Sequence, residues 1–303
     1  MGYGKNGGYK NKKGSAGARP TPTGAYKDRR RAVEKKIDRE PRFDLDGSAD
    51  EREDSGLVVG RNAVRELLKS GRSIDKLLVQ RGEREGSITV LVAEAIERGI
   101  PVVECEKQKL DELSLGAPHQ GMIAMAAEKE YVTVDEILAI AEERGEKPLI
   151  VISDGITDPH NLGALIRCAE GAGAHGLIIP KRRAVGLTPV VSKASAGAIE
   201  HLAVAKVSNI AQTVAELQEK GVWVYAAEAG GQAYYETDFR GPCALVFGSE
   251  GDGVSRIVKE KADMIVSIPM YGQVNSLNVS TAAAVILCEA AKQHRAAMKI
   301  AQQ

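Results

Sequence analysis

The sequence lacks several features that would assign it to common classes of protein. Its four cysteines, Cys105, Cys168, Cys243 and Cys288, are widely separated and form no CxxC pair. They therefore imply no zinc site, and we expect them to be buried small side chains in a reducing cytosol. The longest apolar run, near 282–288, is too short to span a bilayer. The first residues are polar and basic without an apolar segment, so we expect no secretory signal and a cytoplasmic location.

Two common nucleotide-binding motifs are also missing. No GxxxxGK[ST] segment occurs, which argues against a P-loop site. The glycine-rich loop at 248–253 (GSEGDG) has the spacing GxxGxG and comes late in the chain, unlike the early GxGxxG of a dinucleotide-binding dehydrogenase. This loop contains no Lys or Arg, so it suits a neutral or zwitterionic ligand better than a polyphosphate.

A net charge of zero conceals a basic amino-terminal tail. Residues 1–42 contain 13 Lys and Arg against 4 Asp and Glu, whereas residues 43–54 contain 6 acidic residues against 1 basic residue. The segment has few apolar residues to offset its ordering entropy, so we expect residues 1–54 to be mostly disordered. Its Lys, Arg and Tyr residues suit contact with nucleic acid, and a purely solubilising tail is the alternative.

After the tail, the hydrophobic pattern predicts two α/β units. Short strands and helices over 55–127 form a small module, in which we interpret His119 as a structural residue. Residues 128–147 are a linker with one short helix, and 148–303 alternate strands with helices. That alternation predicts a mainly parallel sheet covered by helices, including a helix over 189–199 and a strand over 222–226.

Three stretches of the second unit place polar residues between a strand and a helix. They are 154–167 (DGITDPHNLGALIR), 245–254 (LVFGSEGDGV) and 268–280 (IPMYGQVNSLNVS). Loops beyond the carboxyl ends of parallel strands are where open α/β sheets bind ligands. The three loops therefore predict one composite site.

Individual residues in these stretches allow both structural and functional interpretations. Asn161 is expected to cap a helix over 162–172, or to take part in the site. Arg167, which shares a polar stripe with Gly163 and Glu170, either pairs with Glu170 on the surface or points toward an anion or ribose. Glu250 is either an exposed turn carboxylate or a ligand of the site.

The third stretch carries neutral polar side chains at the start of another predicted helix. Asn275, Ser276 and Asn278 can donate and accept hydrogen bonds, so they can hold amino, carboxylate and hydroxyl groups of a ligand.

With these residues identified, the second unit resembles the SpoU (TrmH-type) RNA ribose 2′-O-methyltransferases of the SPOUT superfamily. The matching residues are Asn161 and Arg167 in the first stretch, Gly248, Glu250 and Gly251 in the second, and Ser276 and Asn278 in the third. The first unit, with its VGRNAV and HQG segments, resembles the substrate-binding domain of the family's ribosomal RNA branch, close to RlmB. The tail lies outside the resemblance, and Cys288 stands where an aromatic residue is frequent.

The resemblance implies a SPOUT-type parallel sheet with a carboxy-terminal trefoil knot, preceded by a small ribosomal-protein-like α/β RNA-binding domain. It implies S-adenosylmethionine as cofactor, bound against Gly248, Ile268 and Leu277, with no metal. It also implies a homodimer whose active site is completed across the interface. The implied domains are a tail at 1–54, an RNA substrate-binding domain at 55–127, a linker at 128–147 and a methyltransferase domain at 148–303.

The implied reaction transfers a methyl group to a ribose 2′-hydroxyl, for which we expect a guanosine of large-subunit ribosomal RNA. Arg167 matches the base proposed for the family, yet a guanidinium with a pKa above about 12 accepts protons poorly. We therefore favour Arg167 as the residue that orients the ribose through its phosphate, with proton removal by a neutral Arg167 as the alternative. Asn161, Glu250, Ser276 and Asn278 would hold Arg167, the nucleotide and the cofactor.

Two alternatives stay open from the sequence. Transfer RNA is the second candidate substrate. A non-catalytic RNA-binding assembly factor is the second candidate class, although such a protein has no reason to keep Arg167, Glu250 and Asn278 together.

Overall fold

The computed structural model of the protein describes residues 38–39, 56–82, 86–114, 116–127 and 129–301. The disorder predicted over 1–54 lies outside the described residues, except at Asp38–Arg39, which form a two-residue strand. The strands are β1 (Asp38–Arg39), β2 (Leu57–Val59), β3 (Ile74–Gln80), β4 (Val102–Cys105), β5 (Met122–Ala126), β6 (Leu149–Asp154), β7 (Gly176–Pro180), β8 (Ala203–Val207), β9 (Trp223–Ala233), β10 (Cys243–Gly248) and β11 (Met264–Ser267). The helices are α1 (Arg61–Ser70), α2 (Ser87–Glu97), α3 (Lys107–Leu113), α4 (Val134–Glu143), α5 (Pro159–Ala172), α6 (Pro189–Ala194), α7 (Ile210–Glu219), α8 (Arg256–Lys261) and α9 (Val279–Ala301).

The first unit is a five-stranded mixed sheet in the order β1-β4-β3-β5-β2. β5 runs antiparallel to both of its neighbours, whereas β3 and β4 are parallel because helix α2 makes the crossover between them. Helix α1 buries Ala63, Val64, Leu67 and Leu68, four residues at helical spacing that form its apolar face. The unit therefore has a core of its own.

His119 fixes a loop in this first unit and is only 5% exposed. Its Nδ1 accepts a hydrogen bond from the backbone N–H of Gly121 at 2.9 Å. The proton is therefore on Nε2, which donates to Asp111 Oδ1 at 2.9 Å. Both ring nitrogens are engaged, as expected of a structural histidine.

The second unit is a six-stranded sheet in the order β11-β9-β10-β6-β7-β8, and every neighbouring pair is parallel. Side chains alternate between its two faces. Leu149 and Val151 enter a core shared with α5, α6 and α9, whereas Ile150 and Ile152 enter a core shared with α4, α7 and α8. The parallel sheet covered by helices is confirmed, while the trefoil knot stays a prediction.

The helix predicted over 189–199 is wrong in its second half. Helix α6 ends at Ala194, Ala196 and Gly197 follow with φ of 53° and 95°, and a 3-10 turn occupies Ala198–Glu200. A Cβ on Gly197 would lie 2.6 Å from the Cβ of Glu66 in helix α1. The break therefore follows from a tertiary contact with the first unit, which periodicity along the chain does not show.

The strand predicted over 222–226 is also longer than expected, because β9 continues to Ala233. Its pairing with β11 shifts register between Ile265 and Val266. Gly231 allows this close approach, since a Cβ there would lie 2.3 Å from the backbone oxygen of Ile265. A glycine-rich bulge thus extends the strand beyond its apolar part.

An ion pair and a hydrogen bond connect the two units. Arg72 Nη1 of the first unit lies 3.2 Å from Glu200 Oε2 of the second, and the Glu200 side chain is only 1% exposed. Burial raises the pKa of Glu200, and the nearby Arg72 partly opposes this shift. At the edge of the same contact, His201 Nε2 lies 3.0 Å from Glu66 Oε2.

None of the four cysteines forms a disulfide, and they are not all buried. Cys105 and Cys243 are buried, and burial raises the pKa of Cys243 to about 12. Cys168 is partly buried, and Cys288 is exposed on α9, so the expectation of four buried side chains is wrong there.

Candidate active site

The three predicted loops leave the same edge of the parallel sheet. β6 and β10 are neighbours, and Asp154 and Gly248, the last residues of these strands, are register partners. The loop after β6 leads into α5, the glycine loop after β10 leads into α8, and the loop after β11 leads into α9. Parallel pairing therefore brings together segments that are distant in sequence.

The cap of helix α5 differs from the prediction. The N-cap is Asp158, whose Oδ1 accepts from the backbone N–H of His160 at 2.8 Å, and Pro159 is the first helical residue. Because proline lacks an N–H and has a fixed φ, it is favoured at this position. Asn161 thus lies inside the helix, 7% exposed, with its side chain available for other contacts.

A hydrogen-bond network connects the three loops through Asn161 and Asn278. Asn278 Nδ2 donates to Asn161 Oδ1 at 3.0 Å and lies 3.3 Å from Glu250 Oε1. Asn161 Nδ2 in turn donates to Asp158 Oδ2 at 3.1 Å. Asn278 Oδ1 accepts from the backbone N–H of Ser280 at 2.9 Å, which caps α9. The predicted residues Asn161, Glu250 and Asn278 therefore meet.

The glycine loop is closed on itself by two backbone hydrogen bonds. Ser249 N–H donates to Gly253 O at 3.1 Å, and Gly253 N–H donates to Ser249 O at 3.0 Å. A Cβ on Gly248 would lie 2.0 Å from the carbonyl carbon of Gly253, and Gly253 has φ of 65°. Glycine is required at both positions because of close approach and a left-handed backbone.

Two carboxylates that sequence reasoning did not select accept backbone hydrogen bonds at the end of the glycine loop. Glu228 Oε2 accepts from the backbone N–H of Val254 at 3.3 Å and lies 3.4 Å from Lys259 Nζ. Asp154 Oδ2 accepts from the backbone N–H of Ser255 at 2.7 Å. Glu228 lies just beyond the strand predicted over 222–226. It lies beside the glycine loop because β9 continues to Ala233.

A cavity of about 440 Å³ lies between the glycine loop and the loop after β11. All three residues predicted to contact a cofactor, Gly248, Ile268 and Leu277, line it, together with Glu250 and Ser276. Its walls combine backbone groups of the glycine loop, apolar side chains and the carboxylates of Glu228 and Glu250. Such a cavity suits a ligand that has apolar, hydrogen-bonding and cationic parts.

A second cavity of about 770 Å³ shares the glycine loop as a wall. Asn161 lines it, and so do Arg182 and Arg183 from the segment after β7. Arg183 has φ of 58°, an uncommon conformation for a side-chain-bearing residue. The two arginines, which sequence reasoning did not select, lie in this cavity together with the carboxylates of Asp154, Asp158, Glu250 and Asp252.

Arg167 does not line either of these cavities in the single chain. It is exposed on α5, six residues after Asn161, which is about 9 Å along a helix and on a different face. The structure shows no ion pair between Arg167 and Glu170 among the described residues. Gly163, predicted on the same polar stripe, is instead buried against α6, where a Cβ would lie 2.4 Å from the Cβ of Ala194.

Within the described residues there is no group of three or more His, Cys, Asp or Glu side chains that could hold a metal ion. In the same part of the chain, none of the helices has the length and apolar character needed to cross a membrane.

Two family models match the two units of the chain. The model described as the SpoU rRNA Methylase family matches residues 148–288. The model described as RNA 2′-O ribose methyltransferase substrate binding matches residues 57–132.

Named relatives match most of the chain. A Bacillus subtilis protein, YacO, whose name assigns it to the TrmH family of tRNA/rRNA methyltransferases, is 45% identical over 233 residues, covering 77% of this chain and 93% of its own length. A Staphylococcus haemolyticus protein of the same description is 45% identical over 238 residues, covering 77% and 94%.

Solved structures share the fold over most of the chain. The SpoU methyltransferase AviRb from Streptomyces viridochromogenes superposes with a TM-score of 0.67 at 25% identity, covering 81% of this chain and 92% of its own. A crystal structure described as an RNA 2′-O ribose methyltransferase gives a TM-score of 0.67 at 25% identity, covering 90% and 97%.

Proposed function

Because the chain belongs to the SpoU rRNA methylase family of TrmH type, we propose that it transfers a methyl group from S-adenosylmethionine to the ribose 2′-hydroxyl of a guanosine in large-subunit ribosomal RNA. The observation that carries this proposal is the network in which Asn278 joins Asn161 and Glu250. It brings all three loops to one edge of the sheet, beside the cavity lined by Gly248, as a composite site requires.

The first cavity has the chemistry that S-adenosylmethionine needs. Gly248, Ile268 and Leu277 would hold the adenosine part against backbone and apolar surface. Glu250 places a carboxylate in the same cavity, where it can balance the positive sulfonium and amino groups of the cofactor, whereas Glu228 is already paired with Lys259. When bound there, the cofactor supplies an electrophilic methyl group.

The protein must align the hydroxyl with that methyl group and assist loss of the hydroxyl proton. We assign Asn161, Glu250, Ser276 and Asn278 to holding the nucleotide and the cofactor at this junction. Arg167 orients the ribose through the adjacent phosphate and lowers the pKa of the hydroxyl, because a fixed guanidinium stabilises the charge that develops on oxygen. A guanidinium is a poor proton acceptor, so this role suits Arg167 better than that of a base.

We further propose that the active protein is a homodimer, with Arg167 supplied by the second chain. Two observations support this. Arg167 lies outside both cavities of its own chain. The loop after β11 leaves Tyr271 90% exposed and Val274 67% exposed, next to the cofactor cavity. Exposed apolar side chains of this kind are typical of surfaces covered by a partner. We also propose that the carboxy-terminal segment forms the trefoil knot that the resemblance implies.

The substrate assignment rests on the first unit. Its match to a model for RNA 2′-O ribose methyltransferase substrate binding supports an RNA target. Its VGRNAV and HQG segments resemble the ribosomal RNA branch, and on that resemblance we favour ribosomal over transfer RNA. The names of the relatives include both kinds of RNA. Transfer RNA is therefore the alternative target of the same chemistry.

The test uses radiolabelled S-adenosylmethionine with separate ribosomal and transfer RNA, for the wild-type protein and Glu250→Ala. We expect label in 2′-O-methylguanosine from ribosomal RNA, and its loss in the variant. Label only in transfer RNA would overturn the substrate assignment and keep the chemistry. An absence of label in both RNAs, with RNA binding retained, would favour the non-catalytic assembly factor.

A further inference from the structure

A groove of about 500 Å³ runs between the two units and contains Arg167. One wall is helix α1 of the first unit, with Arg65 and Glu66. The other wall is formed by α5 and by the turn after α6, with Arg167, Glu170 and His201. The groove is separate from the two cavities at the glycine loop, because it shares no residue with either of them.

Both arginines of this groove lack a carboxylate partner in the part of the chain that the structure describes. Arg65 makes one hydrogen bond, from Nη1 to Asn62 Oδ1 at 3.1 Å, and Arg167 is exposed. The carboxylate on the wall of Arg65 is already engaged, since Glu66 lies 2.9 Å from Lys69 Nζ and 3.0 Å from His201 Nε2. Two guanidinium groups in one groove are thus available to an anion.

The shape of the groove is fixed by contacts between the units. The Gly197 backbone lies against Glu66 so closely that a Cβ would be 2.6 Å from the Glu66 Cβ. A buried ion pair also joins the segment after α1 to the 3-10 turn. Arg72 Nη1 lies 3.2 Å from Glu200 Oε2. Arg65 and Arg167 therefore face one space although they belong to different units.

The groove is not uniformly cationic, because Glu170 lies three residues after Arg167 and also faces it. A carboxylate there would repel a free phosphate ion. It can accept hydrogen bonds from the amino and hydroxyl groups of a nucleotide, so a phosphodiester that is part of RNA suits the groove better.

We propose that Arg65 is a positioning residue that binds, together with Arg167, a phosphodiester of the RNA beside the target ribose. This inference rests on the proposed function and adds to it a residue from the substrate-binding unit. The planar guanidinium forks of both arginines match phosphate oxygens. The first unit thereby sets the position of the RNA strand directly against Arg167, within the same chain.

The test measures the affinity of a short fluorescein-labelled RNA of mixed sequence by anisotropy across a salt series. Arg65→Ala is compared with Arg240→Ala, which removes an equal charge at the opposite, amino end of β10. We expect Arg65→Ala to bind the RNA about tenfold more weakly than the wild-type protein does. The slope of log affinity against log salt concentration should become shallower by about 0.7–0.9. Arg240→Ala should retain the wild-type affinity and slope.

A double-mutant cycle with Arg167→Ala shows whether one phosphate is shared. If both arginines bind it, the effect of Arg65→Ala on RNA affinity should shrink clearly in the Arg167→Ala background. Equal effects in both backgrounds, or no difference between Arg65→Ala and Arg240→Ala, would overturn the proposal. Arg65→Lys, which keeps the charge, should recover part of the affinity and shows that loss of folding is not the cause.

Failure of this proposal and failure of the proposed function are distinguishable. Methyl transfer by the wild-type protein tests the reaction, and RNA affinity tests the groove. In an active protein, Arg65→Ala should raise the KM for RNA and leave the KM for S-adenosylmethionine unchanged. A raised KM for the cofactor would contradict a role in the RNA groove.

Discussion

At the scale of single residues, the site depends on side chains that connect loops. Asn278 is the clearest example, since one amide contacts Asn161 and Glu250 and also caps α9. Sequence reasoning selected these residues, but it assigned the wrong helix position to Asn161. Asp158 and Asn161 can both cap a helix, and the preference of proline for the first helical position, which Pro159 occupies, favours Asp158.

Arg167→Ala should abolish methyl transfer and leave cofactor binding intact. Arg167 lies outside the cavity assigned to S-adenosylmethionine, so its loss removes only contacts with the RNA and the developing charge. We expect activity to fall at least about a hundredfold, with the cofactor dissociation constant from calorimetry within about twofold of the wild type. A large loss of cofactor affinity would contradict the assigned role.

Two buried histidines predict that the protein loses stability in mild acid. Burial lowers the pKa of His175 and of His294 below the ordinary value of 6.5. As pH falls below about 6.5, the unfolded chain binds protons at these residues that the folded chain does not, so the free energy of unfolding decreases.

The measurement is the unfolding midpoint between about pH 7.5 and 5.5. His175→Gln should have a lower midpoint at neutral pH, because the backbone N–H of Leu149 loses its acceptor. Its midpoint should then depend less steeply on pH than that of the wild-type protein. If the midpoint of His175→Gln depends on pH as steeply as that of the wild-type protein, other groups cause the loss of stability in acid.

At the scale of secondary-structure elements, the pattern of hydrophobic residues predicted most strands and helices but not their ends. The start of α5 differs because of its local cap, whereas two other ends are set by contacts between distant segments. α6 stops where Gly197 meets α1, and β9 continues where Gly231 lies against β11. The support that Glu228 gives to the glycine loop depends on the second of these contacts, so periodicity could not find it.

Gly248→Ala should weaken cofactor binding by distorting the glycine loop. The added Cβ would lie 2.0 Å from the backbone of Gly253, so the loop must move. We expect the dissociation constant for S-adenosylmethionine to rise more than about tenfold, or ~1.4 kcal/mol. Gly241→Ala is the matched control, because a Cβ there meets no atom within 4 Å. Equal affinities in the two variants would show that the loop does not bind the cofactor.

At the scale of the whole molecule, the proposed active site needs two chains, and this can be tested by complementation. Arg167→Ala and Glu250→Ala chains, coexpressed with different tags, should form mixed dimers if the protein is the proposed homodimer. If each site combines Glu250 of one chain with Arg167 of the other, random pairing leaves about a quarter of all sites intact. Methylation should therefore recover to about a quarter of the wild-type rate.

The outcome discriminates clearly between the two arrangements. If Arg167 acted in the site of its own chain, no pairing of the two variants would restore a complete site, and the mixture would stay inactive. Each variant expressed alone is the control, and size-exclusion chromatography tests whether dimers form.

The order of strands in the second sheet also has a consequence for synthesis of the chain on the ribosome. The first unit has its last strand at Met122–Ala126, so its sheet can close while the rest is still being made. In the second sheet, β10 pairs Cys243 with Leu149 and also pairs with β9, so it joins the two halves. Strands β6, β7 and β8 can pair with one another first, but the other edge of β6 stays open until β10 has left the exit tunnel. An open strand edge of this kind favours aggregation of the nascent chain.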